Sequence, residues 1–472
     1  MSFAALDYLP FLALVLGVFQ FVPRRGRALC LLLASAAFYL YSSVGHAAIL
    51  FGSIAFNDLC GRRIETMREA GRGRFLVILG VVCNVALLCV FKYGGFLTDT
   101  VNTLTGQRTG LSWPELALPL GISFTTFQSI GYLIDVGRGR IQACRNPVEL
   151  ALYISFFPQL VAGPIERAGH LLPQLKRLSV LTLANALPGV RLIVWGLFKK
   201  WVLADTLRQA VWPIFGEPEK HDSLTLGLVA LSLAALLYFD FSAYTDIARG
   251  SARLFGVELV PNFQRTFAAR SMSEFTQRWH MSLYTWIRDY AFDALARGPM
   301  SHARIWRNNL LVMALFGLWH RASWAFVLWG IAGGIAISVE HSWRLAQAAR
   351  GVRPKRRSLA DPVGLLGRAW VLCWSGLMFV LFFSPDLAFA GTFYRELFTA
   401  GLGGFELTPF VAWTAPLLLL GLVLQIVSEE VDLEQVWQGL VVPLQIALLV
   451  AFGGLTFWLR VPDPLPFIYF QF

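Results

Sequence analysis

NLLVMALFGLWHRASWAFVLWGI, residues 309–331, is long and apolar enough to read as a membrane span, yet His320 and Arg321 sit near its centre. About 20 apolar residues, each rising ~1.5 Å along a helix, cross the hydrocarbon core of a bilayer. A charged group at that depth costs about 2.5–3.5 kcal/mol on insertion scales, so such residues face a protein interior or a water-filled cavity. A histidine there has two readings. It can bond a neighbouring helix and fix the packing, or, kept neutral by burial, it can serve as a general base. The residues alone leave these two evenly balanced.

Outward from this stretch the chain keeps the same character. Runs at 6–22, 28–44, 75–93, 224–239, 363–383, 411–427 and 440–459 approach or reach the length of a span. Only 15% of the 472 residues are charged, where a soluble protein carries about 25%. The expectation is an all-α polytopic membrane protein of roughly ten to twelve transmembrane helices, forming one domain over 1–472. The first run lacks a basic leader and is expected to stay as a span. Segments 118–136 and 150–165 mix Gly, Ser, Thr, Gln and Pro into an apolar background; broken or re-entrant helices buried in protein are expected there. No period of 20–50 residues recurs, which speaks against repeat arrays and inverted-repeat transporters.

The net charge of +11 has a topological explanation. Arg24, Arg25 and Arg27, then Arg62, Arg63, Arg68, Arg72 and Arg74, then Arg350, Arg353, Lys355 and Arg356 fall between apolar runs, while the alternate loops are poor in Lys and Arg. The positive-inside rule makes the basic loops cytoplasmic and the N-terminus extracytoplasmic, and removes the need for a nucleic-acid partner. The six cysteines lack paired spacing, so neither a zinc site nor a disulfide framework is expected.

The longest interval without a spanning run is 255–307, rich in arginine. Ser271-Met272-Ser273-Glu274 forms a capping box, and Phe275, Trp279, Leu283, Trp286 and Tyr290 follow at helical spacing. One amphipathic helix ending near Gly298-Pro299 is expected, with His280 beside its aromatic stripe and Arg278, Arg288 and Asp289 as charge partners. A histidine on such a helix is more often interfacial than chemical. Asp240, at the end of an apolar run, either bonds across helices or orients a histidine or arginine; for Asp246 the bonding role is favoured. Trp319, Trp324 and Trp329 read as interfacial anchors or tunnel walls.

Six motifs occur in order: PLGISFTTFQSIGYLIDV from Pro119, YISFFPQLVAGPIERAGHLLPQL from Tyr153, LFKKWVLAD from Leu197, YFDFSAYTDIARGSARLFG from Tyr238, RWHMSLYTWIRDY from Arg278 and LWHRASWAFVLWG from Leu318. Together they resemble the membrane-bound O-acyltransferase family, in its bacterial branch of alginate O-acetylase type, with the motif-bearing core at about 119–330. The resemblance implies a helical bundle around a central funnel open to both membrane faces. It maps the family's catalytic histidine onto His320 and its second signature histidine onto His280. Trp279, Arg278, Asp289, Asp240, Trp319 and Arg321 then become candidates for holding substrate. Three departures stand out: Arg321 where glycine is frequent, Thr276 where relatives carry tryptophan, and 292–297 in place of a proline- and glycine-containing stretch.

The resemblance further implies an O-acetyltransferase of the bacterial inner membrane, with no permanently bound cofactor and no metal. Acetyl-CoA from the cytoplasm would be the donor, its phosphates near Arg265, Arg270 and Arg278. The acceptor side would be an extracytoplasmic polysaccharide, alginate-like or another exopolysaccharide, reached through a periplasmic acetyltransferase partner. The alternatives are D-alanyl transfer from a carrier-protein thioester to a teichoic acid-type polymer, a proton-coupled transporter using His320 and Asp240, and a passive scaffold.

Overall fold

The computed structural model describes residues 7–468 apart from 70, 107–108, 161–162, 293–294, 297–300, 352–361, 404–408, 431–432 and 463–464. Every regular element among the described residues is helical. Among the described residues six helices are long and apolar enough to cross a membrane: Val44–Arg68, Gly73–Lys92, Ser223–Arg253, Trp324–Ala349, Val363–Phe383 and Val442–Leu459. Other apolar runs form shorter helices such as Tyr8–Phe21 and Arg27–Leu40. The fold is that of an all-α, multi-pass membrane protein.

The chain divides into two compact units, one of residues 1–196 and 244–261, the other of 197–243 and 262–472. In the first, Val44–Glu69 and Gly73–Lys92 are joined by a buried amide pair, each of Asn57 and Asn84 donating to the other's Oδ1 at 3.1 and 2.9 Å. Two amides satisfying each other can be buried where one alone would lose its hydrogen bonds to water. The helix Ile122–Gly137 is buried on nearly every side, which explains how it tolerates Ser123, Thr125, Thr126, Gln128 and Ser129. Segment 150–165 is broken, as its composition suggests, into Pro147–Ser155 and Phe157–Leu160; Val161 and Ala162 lie outside the described residues. The buried Glu166 carboxylate accepts from Val260 N–H at 2.6 Å and bonds His170 Nδ1 at 2.6 Å, fixing a loop to a helix start.

The second unit departs from expectation at the stretch quoted first. Residues 309–331 do not form one span: a helix His302–His320 stops at the histidine, Arg321 to Ser323 turn the chain, and Trp324–Ala349 runs on from there. The two helices pack as a hairpin through glycines. A Cβ at Gly317 would lie 1.9 Å from the Phe326 carbonyl oxygen, and one at Gly330 would lie 2.0 Å from that of Met313. Both obstacles are backbone, so neither can rotate away. Gly330→Val is expected to force the helices apart and destabilise the protein by about 1–3 kcal/mol or more. Thermal unfolding in detergent checks this, and an unchanged midpoint would refute it.

The aromatic stripe needs a second correction. Ser271 Oγ accepts from Glu274 N–H at 3.1 Å, as the capping signature requires, but the helix Met272–Arg278 ends after seven residues. Trp279 is extended, His280 adopts left-handed backbone angles (φ 46°, ψ 51°), and Met281–Trp286 begins a new helix that widens into a π-helical turn at Ile287–Phe292. All five stripe residues are buried, so the spacing identified the core without identifying one helix. The helix end foreseen near Gly298-Pro299, much of the 292–297 departure, and the basic residues Arg353, Lys355 and Arg356 lie outside the described residues.

Candidate active site

Left-handed angles cost a residue with a Cβ about 1–2 kcal/mol, and such strain persists only where the surroundings fix it. At His280 the fixing is visible. Met281 N–H donates to the Asn262 carbonyl at 2.9 Å, and His280 Nδ1 lies 3.2 Å from Asn262 Oδ1. Ser282 N–H and Ser282 Oγ converge on that same Oδ1 at 3.2 and 2.8 Å. The ring packs on Phe241 at 4.7 Å and on Trp319 at 6.3 Å, centroid to centroid. His280 is 1% exposed. It lies outside the six long apolar helices, and burial pushes its pKa down from 6.5 to about 3, so the ring is neutral at physiological pH.

His320 occupies the end of its helix, where the hairpin turns. Its ring contacts Phe316, Trp319, Trp329 and Phe382 at 4.6, 4.7, 5.3 and 5.8 Å. Trp319 therefore touches both histidines, and the second unit brings the two motifs together around it.

A cavity of about 420 Å³ opens beside them, lined mainly by apolar groups. Trp279, His280, Phe316 and Trp329 line it, as do Arg288 and Arg344. The two arginine side chains are more than half exposed while His280 is buried, so the cavity leads from a basic, wet end to an imidazole. His320 is not among its described lining residues, but Phe316 and Trp329, which pack on that ring, are.

The other candidates fall into two groups. Trp279 lines the cavity and stacks on Phe275 at 5.5 Å; Trp319 bridges the histidines. Arg278 bonds Glu274 and, at 3.0 Å, the Arg265 carbonyl, and Asp289 pairs with Arg288 at 2.8 Å. Arg321 caps the His320 helix. None of Arg265, Arg270 and Arg278 lines the cavity; the basic residues that do are Arg288 and Arg344. Asp240 is likewise elsewhere: its Oδ1 accepts from Lys200 at 2.8 Å and its Oδ2 from Ile468 N–H at 2.8 Å. Sequence reasoning passed over Asn262, Phe316 and Arg344. Asn262 lies 18 residues before the histidine it contacts, and Arg344 reads as one more basic loop residue. Phe316 carried a signal, since it precedes His320 by one helical turn. Among the described residues no group of His, Cys, Asp and Glu is placed to hold a metal.

A family profile described as MBOAT, membrane-bound O-acyltransferase family, matches residues 144–383, about half of the chain. The chain is 34% identical over 397 residues to a probable alginate O-acetylase of Azotobacter vinelandii, covering 83% of this sequence and 76% of that protein. It is 32% identical over 370 residues to a peptidoglycan O-acetyltransferase of Helicobacter pylori, covering 73% and 70%. A teichoic acid D-alanyltransferase of Streptococcus thermophilus is 29% identical over 265 residues, covering 52% and 61%.

Proposed function

Because the chain belongs to the membrane-bound O-acyltransferase family, we propose that this acyltransferase moves acetyl from cytoplasmic acetyl-CoA toward an extracytoplasmic polysaccharide. The observation that carries the reading is the cavity that leads from Arg288 and Arg344 to the buried His280. A thioester on a long phosphate-bearing arm fits that gradient: anionic at its outer end, apolar along its length, reactive at its tip. The basic residues that follow Arg344 place this end on the cytoplasmic side under the positive-inside rule. The same rule supports an extracytoplasmic N-terminus, which in a bacterial inner membrane is the periplasmic side.

In this reading the acyl carbonyl rests near His280 and Trp279. The acceptor hydroxyl arrives on the His320 side, where the neutral imidazole takes its proton as the oxygen attacks the thioester carbon. The thiolate of CoA leaves, and the new ester departs with its acceptor. Positioning both reactants contributes alongside the base, since effective molarities for well-oriented groups reach about 10⁵ M or more. The acceptor that receives the acetyl group is a periplasmic acetyltransferase, which completes polymer modification. Acetyl rather than D-alanyl transfer is supported by the longer and closer similarity to O-acetyltransferases.

Purified protein in detergent or proteoliposomes should consume acetyl-CoA in an acceptor-dependent way and should leave a D-alanyl carrier-protein thioester intact. The reverse preference would overturn the acetyl assignment, and substrate transport without thioester turnover would overturn the whole reading. The Arg288→Ala, Arg344→Ala double variant is expected to raise KM for acetyl-CoA at least tenfold, as charge-assisted hydrogen bonds contribute about 1.5–3 kcal/mol. Its kcat should change by less than about threefold, because uniform binding is what these groups supply. An unchanged KM would show that the donor enters elsewhere.

A further inference from the structure

Three groups converge on Asn262 Oδ1, and one of them settles the chemistry of the other two. Ser282 N–H is a backbone amide and can only donate, so the side-chain atom it meets at 3.2 Å is the oxygen, not the nitrogen, of the carboxamide. His280 Nδ1 lies 3.2 Å from that same oxygen. An oxygen attracts a ring N–H and repels a ring lone pair, so the proton of the neutral imidazole is on Nδ1.

We propose that Asn262 is a positioning residue that locks His280 as its Nδ1–H tautomer, leaving a lone pair on Nε2 of a ring that lines the donor cavity. This rests on the cavity being the donor site. A ring in this state has no Nε2–H to donate to a thioester carbonyl or to the oxyanion that follows; its Nε2 can only accept. The lock also accounts for the strained backbone: the Met281 N–H bond to the Asn262 carbonyl and the bond at Nδ1 together hold His280 at φ 46°. The hydrogen-bond partners of metal-bound histidines act in the same manner, fixing tautomer and ring orientation.

The test is ¹⁵N-histidine solid-state NMR of the full-length protein in lipid, with the signal assigned through His280→Gln. The expected spectrum has Nδ1 protonated and Nε2 bare. Asn262→Leu, similar in size but unable to accept, should convert the ring to a mixture or to the Nε2–H form and lower kcat by 10- to 100-fold, with KM for acetyl-CoA within about threefold. Asn262→Asp keeps the accepting oxygen and should return kcat to within about fivefold of wild type with Nδ1 still protonated. Ser282→Ala keeps its backbone N–H and should leave the tautomer as it is. A bare Nδ1 in the wild-type protein, a tautomer indifferent to Asn262→Leu, or an Asn262→Asp variant as impaired as Asn262→Leu would each overturn the proposal. Full activity in His280→Ala would instead overturn the donor-site reading, and the NMR result would stand apart from it.

Discussion

Replacing His320 by alanine is expected to lower acetyl transfer by about 10²- to 10⁴-fold, the range that a positioned general base contributes. Both imidazoles of the site are buried, and the one at His320 is ringed by four aromatic side chains within 6 Å, so its removal leaves a small pocket and no new buried charge. The variant should therefore fold, which gel filtration and thermal unfolding in detergent can verify before activity is measured. Donor binding should persist, because the cavity is lined by other residues. A loss confined to kcat is the signature of an interaction made in the transition state. Wild-type turnover in well-folded His320→Ala would remove the base from the mechanism.

Lys200→Met is expected to act through stability. Lys200 Nζ donates to Asp205 Oδ1 at 2.7 Å and Asp240 Oδ1 at 2.8 Å, and the three side chains are 1–2% exposed. Removing one partner of a buried ionic cluster costs about 3–5 kcal/mol, because the charges left behind have neither water nor a counterion. Here two carboxylates would remain, facing each other. Lys200 itself sits in a π-helical turn, Lys199–Ala204, a geometry frequent at functional sites. Lys200→Met combined with Asp205→Asn and Asp240→Asn should recover much of the loss, since a neutral cluster no longer strands a charge. Both effects are read as changes in unfolding midpoint. A stable but inactive Lys200→Met protein would assign the cluster to chemistry instead, and would revive the idea of Asp240 as a proton carrier.

What the amino-acid order disclosed followed from local physics. Apolar run lengths announced a helical membrane protein, and the Ser271–Glu274 cap formed where the four residues said it would, because its partners are three apart. The buried stripe of Phe275, Trp279, Leu283, Trp286 and Tyr290 was legible for the same reason. The two breaks beside the histidines were not. Nothing in the residue types at 279–281 signals positive φ, which is imposed by Asn262 from across the fold. The turn at Arg321 to Ser323 is masked by apolar residues on both sides, and the close approach of Gly317 to Phe326 that makes it possible is a tertiary contact. Asp240 illustrates the same limit: its partner Lys200 lies 40 residues away in the chain.

Phe316 and Trp329 both line the cavity and pack on the His320 ring. Their rings stack at 5.6 Å with planes 24° apart, so the face they present to the cavity is aromatic carbon. Under the proposed mechanism, an enzyme charged with donor and lacking an acceptor would be shielded from futile hydrolysis, because two aromatic rings that line the cavity also cover the base.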